Sequence, residues 1–366
     1  MQIARRRASR SEQPAITEPA LVTWSSLAPT FALAGVATLA VAWFAASWGT
    51  VHIAPQTTLG IVLGHLPFVS TGAHSATAEA IVWQVRMPRV VLAGLVGATL
   101  GFAGAAYQGV FRNPLAEPYL LGVASGAAVG ATLIIISPFY VAAWLFSPLP
   151  PAAFAGALTA VALAYSLARV NNRVGATSLI LSGVAVSSVC TSVVTYLMLT
   201  YNTRTLAILN WILGGFNTAT WQQVAIAVPY VAVAVAVILP HARLLNVLQL
   251  DEDEARQLGV NVERTKLLIL GVASLATAAA VAVSGLIGFV GLIVPHAVRM
   301  IWGPDYRRVL PLSGFFGASF LILADVIARS IDPGYEVPIG VITAFVGAPF
   351  FLYLLRREGR PARGTA

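Results

Sequence analysis

Apolar runs of about 20 residues follow one another along the whole chain, and no stretch between them is long enough to fold as a separate soluble domain. A helix needs roughly 20 residues to cross about 30 Å of hydrocarbon. Only helices and closed barrels satisfy their own backbone there, and runs of this length predict helices. Ten spans are read: 27–48, 86–110, 119–137, 150–170, 176–200, 221–240, 262–285, 288–302, 308–330 and 337–355, the eighth being short and broken by Gly and Pro. Composition agrees, since 58% of the 366 residues are hydrophobic and 10% are charged, against roughly 25% charged in soluble domains. The expected fold class is an all-α polytopic membrane protein. One transmembrane domain covers 27–356, between a basic leader at 1–26 and a tail at 357–366.

The leader carries Arg5, Arg6, Arg7 and Arg10, but the apolar run behind it has about 22 residues. That exceeds the 7–15 of a signal peptide's apolar region, so it reads as a retained first helix. With the leader in the cytoplasm, eighteen of the 22 basic residues fall on the inside. Only Arg86, Arg89, Arg204 and Arg329 fall outside, as the positive-inside rule requires. Ten spans then place both termini inside. Asp325 is the one clear acid within a span, and it stands four residues before Arg329. An intramembrane carboxylate is a functional candidate, and an i,i+4 ion pair explains it structurally.

The longest polar interior stretch is residues 241–266, HARLLNVLQLDEDEARQLGVNVERTK. It reads as a short helix capped by Asp251, with acids in its first turn and a left-handed stop at Gly259. Leu248, Ala255 and Leu258 give it an apolar edge. Such a helix is either a solvated spacer or a docking element for a cytoplasmic partner.

Several chemistries are excluded. A Walker loop needs GxxxxGK followed by Ser or Thr, and the single lysine, Lys266, follows ERT. The five histidines form no HExxH pair, there is no GxSxG elbow, and Cys190 is the only cysteine. The pI of about 10.1 does not indicate nucleic acid, because the basic residues sit at span ends rather than on one folded face.

Six motifs occur in order: WQVRMPR (83–89), QGVFRNPLAEPYLLGVASGA (108–127), SGLIGFVGLIVPHAVRM (284–300), GPDYRRVLPLSGFFGA (303–318), ADVIAR (324–329) and EVPIGVITAFVGAPFFLYLL (336–355). Pro88 suits the first turn of a helix. Asn113-Pro114 is a turn signal and Pro118 can open the next helix. Gly285, Gly288 and Gly291 recur every third residue ahead of Pro295, which suits close helix packing. Taken together, the motifs closely resemble the permease subunits of type II, binding-protein-dependent ABC importers for iron complexes and vitamin B12.

The resemblance implies ten helices per subunit, a homodimer with the path on its two-fold axis, and two ATPase subunits that hold ATP and Mg2+. This chain itself would carry no cofactor. It further implies a periplasmic binding protein above an inner membrane, and a bulky iron chelate, haem or ferric siderophore, as cargo, with cobalamin as the alternative. An ion-coupled carrier acting alone is the competing class.

By the same resemblance, Arg86, Arg89 and Arg329 are docking positions for glutamates of the binding protein. Asp251, Glu252, Asp253, Glu254, Ala255, Arg256, Gln257, Leu258 and Gly259 are coupling positions against the ATPase. Gly175, Ala176 and Thr177 match the cytoplasmic gate, though Gly and Ala partly replace the family's hydroxyl pair. Ser192, Thr195, Tyr196, Met198 and Tyr201 on the fifth span either line the path or pack.

Overall fold

In the computed structural model of the chain, residues 24–358 are described apart from 68, 70, 71, 73, 139–146, 171, 172, 251 and 333–335. The leader up to residue 23, the tail from 359, and Asp251 with its expected capping role lie outside the described residues.

The chain runs through α1 (Trp24–Ser47), α2 (Pro55–Gly64), α3 (Ala76–Glu79), a π-helical turn (Ala80–Arg86) and α4 (Met87–Phe111). A 3-10 turn (Pro118–Leu121) leads into α5 (Val123–Ile136), and α6 (Leu149–Ala168) follows. The two-residue strands β1 (Arg169–Val170) and β2 (Arg173–Val174) then pair antiparallel. Next come α7 (Ala176–Thr200), α8 (Thr205–Leu213), α9 (Trp221–Ile238), α10 (Ala242–Val247) and α11 (Glu252–Gln257). The chain ends with α12 (Val262–Ser284), α13 (Val290–Trp302), α14 (Tyr306–Ala328) and α15 (Ile339–Glu358).

Among the described residues, seven helical stretches are long and apolar enough to cross a membrane, Ala76–Phe111 and Trp221–Val247 each being one. Three shorter apolar helices, Val123–Ile136, Val290–Trp302 and Ile339–Tyr353, fill the remaining predicted positions. The fold is all-α and polytopic, as expected, apart from the small β1–β2 ribbon. Two details differ from expectation. The second span begins at Ala76 rather than 86, because Pro88 does not start a helix but sits inside a longer one. Proline lacks an N–H and its ring collides with the carbonyl four residues back. The π turn absorbs this, with the Met87 N–H donating to Val82 O, five residues back.

Short outer helices were also not foreseen. α2 and α8 are ten and nine residues long, too short to span.

α4 is the central post, and small residues set how closely its neighbours approach. A Cβ at Gly97 would overlap the Gly317 carbonyl on α14, one at Gly101 the Ser313 carbonyl, and one at Gly104 the Gly291 backbone of α13. α5 and α6 interlock the same way through Gly126 and Gly156. Within lipid, helices associate by this close packing rather than by a hydrophobic drive. α1 is more loosely held. Leu33, Val36 and Leu39 are exposed, while Thr38 hydrogen-bonds Ser319 Oγ at 3.0 Å and the Phe315 carbonyl at 3.2 Å on α14.

Between α12 and α13 the backbone leaves the helix. Gly285 and Phe289 both take φ of +70°. Irregular backbone at membrane depth has to be satisfied by protein, and Tyr119 does this: its hydroxyl donates to Ile287 O at 2.9 Å and receives the Ile287 N–H at 3.1 Å. The break leaves α13 only 13 residues long, which accounts for the weak eighth span.

Candidate functional site

Three places carry polar chemistry: a charge cluster at the outer end of α4, an uncovered face of α7, and the loop region around α11.

The outer cluster gathers Arg86, Arg89 and Arg329, as expected, but their guanidinium groups turn inward. Arg86 is 5% exposed and donates to the carbonyls of Ala46 and Ser47, each at 3.1 Å, and to Val51 O. Arg329 donates to Trp48 O at 2.8 Å and to Ala45 O. The last carbonyls of α1 have no partner within their own helix, and positive charge is favoured at that end of the dipole. Two arginines from elsewhere in the chain thus cap α1.

Arg89 binds both Asp325 oxygens through Nε at 3.0 Å, adds an Nη2 contact of 2.9 Å, and reaches Glu336 Oε1 at 2.9 Å through Nη1. Asp325 was expected to pair with Arg329, yet that contact is 3.6 Å and Arg89 is the close partner. Asp325 is 1% exposed, whereas Glu336 reaches solvent. Glu336 opens the EVPIG motif, and no local signal in the sequence marks its partner 247 residues away. Arg204 is exposed in a 3-10 turn.

On α7, Ser192, Thr195 and Tyr196 are uncovered, Tyr196 at 67% exposure, and so is Tyr201 just past its end. Met198 instead packs beside Val194 and Ile208. Ser188, Val189, Ser192, Val193 and Tyr196 line a shallow open trough. The hydroxyls of Ser188, Ser192 and Thr195 each donate at 2.9 Å to the carbonyl four residues back. These three hydroxyls are therefore spent within the helix, and Tyr196 is the side chain of the trough that still presents an O–H.

Gly175, Ala176 and Thr177 are exposed at the start of α7, just beyond the β1–β2 ribbon. Ala176 borders a narrow crevice with Phe111, Tyr165, Leu179 and Glu263.

In the loop, α11 has the expected stop. Gly259 takes φ of +82°, its N–H donates to Arg256 O at 2.9 Å, and the Val260 N–H donates to Ala255 O at 3.1 Å. These two bonds make a Schellman cap, with Ala255 buried and Val260 packed on the same core. The expected apolar edge is only partly present. Leu248 and Ala255 are buried, but Leu258 points out at 64% exposure because the chain reverses at Gly259. Asp253, Glu254 and Gln257 are exposed, and Arg256 pairs with Asp253 at 2.8 Å.

The loop is bolted to neighbouring helices. Asn246 Nδ2 donates to Asp305 Oδ1 at 2.8 Å, and Asn246 Oδ1 accepts from the Tyr306 N–H at 2.9 Å. Asp305 caps α14. Burial opposes its charge, but bonds from Arg307 and Asn246 outweigh this and hold its carboxyl below the usual range. Glu117, in the turn after α4, shows the opposite, its carboxyl pushed up by burial.

The FecCD transport family matches residues 37–357. A cobalamin import permease of Halobacterium salinarum is 45% identical, over 90% of this chain and 89% of that protein. A hemin transport permease of Yersinia pestis is 38% identical, over 80% of this chain and 88% of that protein. A solved metal-chelate type ABC transporter in an inward-facing conformation superposes with a TM-score of 0.77 at 29% identity, covering 90% of this chain and 99% of that one. The chain belongs to the FecCD transport family of ABC importer permeases, whose ATPase is a separate subunit.

Proposed function

We propose that this chain forms a homodimer in the cytoplasmic membrane and passes a bulky metal chelate along its two-fold axis, driven by two ATPase subunits and supplied by an external binding protein. The uncovered face of α7 carries this reading. From Ser188 to Tyr196 it is a trough of small and apolar side chains with one tyrosine hydroxyl, left open in the single chain and suited to be closed into a path by a second copy. Because the Ser188, Ser192 and Thr195 donors are already satisfied within α7, they give a large cargo little to bind.

Haem, a ferric siderophore and cobalamin all fit such a wall. The longer and closer match to a cobalamin permease weighs for cobalamin over the iron chelate to which the motifs first pointed. Asp325, which an ion-coupled carrier would need free, is engaged by Arg89, and this supports the ATP-driven reading.

Residues 251–259 are the ATPase contact in this scheme, and Gly175, Ala176 and Thr177 the inner gate. Arg86, Arg89 and Arg329 hold the outer end, with solvent-reaching Glu336 as the carboxylate a binding-protein glutamate would displace from Arg89. ATP-driven closure below would move α11 and switch the path between outward- and inward-open states.

The test is uptake in proteoliposomes that hold the complete complex, with haem, siderophores and cobalamin each offered on the cognate binding protein. Glu336→Gln leaves the buried Arg89–Asp325 pair in place and releases the solvent-side Nη1, so it should tighten binding of the binding protein while the ATPase still co-purifies. Unchanged affinity for the binding protein would refute the docking assignment.

A further inference from the structure

The outer charge cluster and the cytoplasmic loop sit at opposite ends of one helix. α4 spans Met87–Phe111, about 37 Å at 1.5 Å per residue, and is wedged along its length by backbone contact with α13 and α14. Arg89 lies in its first turn.

At the inner end, the chain turns through Arg112, a non-glycine residue held at φ of +51°. Its Nη1 donates to Leu250 O at 2.9 Å, two residues before α11 begins. Gln249 Nε2 donates to Gly109 O at 3.0 Å, and Gly109 has only a hydrogen where Leu245 and Tyr306 press in. One step further in, Gln108 donates to the carbonyls of Gly291 and Leu292, each at 3.2 Å, and accepts from Arg299. The inner turn of α4 is therefore fixed to α13 on one side and to the loop on the other.

We propose that Arg112 is a positioning residue that ties the ATPase-contacting loop to α4, so that docking at the outer end is transmitted to the ATPase along a single strut. The polar clamp at Leu250 is the connection most easily cut. It holds a main-chain carbonyl.

This rests on residues 251–259 meeting an ATPase. The experiment uses the full complex in liposomes, measuring ATPase activity without and with saturating binding protein, the affinity for binding protein, and ATPase co-purification. Arg112→Gly keeps the left-handed backbone accessible and removes the guanidinium, whereas Arg112→Lys keeps a donor.

The expected result is that Arg112→Gly reduces the binding-protein-stimulated increment at least about fivefold, the lower scale of a coupling between sites. Co-purification and binding-protein affinity should stay at parental values, and Arg112→Lys should restore the increment. A parental increment in Arg112→Gly would overturn the inference alone. An equal proportional drop in basal and stimulated rates, or loss of co-purification, would mean a purely structural residue and overturn it as well. A parent complex with no stimulation at all would instead overturn the importer reading, and the inference with it.

Discussion

Two glycines three residues apart on α14 should respond oppositely to the same added methyl group. Around Gly314 nothing lies within 4 Å of an added Cβ. At Gly317 that atom would overlap the Gly97 carbonyl on α4, with the Gly101 Cα at 3.4 Å. Alanine is preferred over glycine within a helix by about 0.5–1 kcal/mol, so Gly314→Ala should stabilise by that amount. Gly317→Ala gains the same preference but overpacks a seam made of backbone, which has no side chain to rotate away. Overpacking costs about 1–3 kcal/mol.

The helix preference cancels between the two variants, so their difference reports the overpacking itself. A kcal/mol shifts Tm by about 2–4 °C in domains of 150–250 residues and by less in a longer chain. Thermal unfolding in detergent, followed by tryptophan fluorescence, should therefore place Gly317→Ala several degrees below Gly314→Ala. If Gly317→Ala melts at or above Gly314→Ala, the seam does not set the α4–α14 distance.

Three further outcomes follow from the charged and capped positions. Asp325→Asn leaves Arg89 and Arg329 without their buried counter-charge and should cost about 3–5 kcal/mol, whereas Glu336→Gln, at a solvent-reaching partner, should cost about 1 kcal/mol or less; equal melting points would refute this ranking. Asp305→Ala removes the α14 cap at about 0.5–2 kcal/mol. Because the Asp305 carboxyl is held low in the folded chain, its contribution is present above the ordinary carboxylate pKa and is lost as pH falls through the folded value. The gap between parent and Asp305→Ala should thus narrow in acid, and a gap constant from neutral pH down to about pH 3 would contradict the assignment. Gly259→Ala forces a left-handed alanine at about 1–2 kcal/mol. Limited proteolysis should cut its 251–260 loop faster than in the parent, and an unchanged cleavage rate would argue against the Schellman cap.

The long-period features were legible in the sequence, because length and apolarity alone determine whether a helix can span lipid. Among the described residues, apolar helices stand at all ten positions, seven of them long enough to cross and the second beginning earlier than read, and the Gly259 stop is where expected, since it depends on a single residue's freedom at positive φ. Features that depend on distant partners were not readable. Arg89 and Glu336 are 247 residues apart, and nothing local marks their pairing. Leu258 looked like the inward edge of its helix, but the turn at Gly259 left it facing solvent. The arginines of RMPR and ADVIAR could be gathered on one surface from topology, while their inward turn depends on where α1 ends, and that is a matter of packing.

The cap that Arg86 and Arg329 place on α1 is written entirely in main-chain atoms: the carbonyls of Ala45, Ala46, Ser47 and Trp48. Any helix that delivers four carbonyls to that spot would be accepted, so the lipid-facing positions at Leu33, Val36 and Leu39 are free to drift among apolar residues. Length is not free. Removing one residue near the end of α1 would turn the acceptors by about 100° around the helix axis and swing them away from both guanidinium groups. The outer end of the first helix is thus anchored by a ruler rather than by a code, and an insertion or deletion there should do more harm than any apolar exchange along its exposed side.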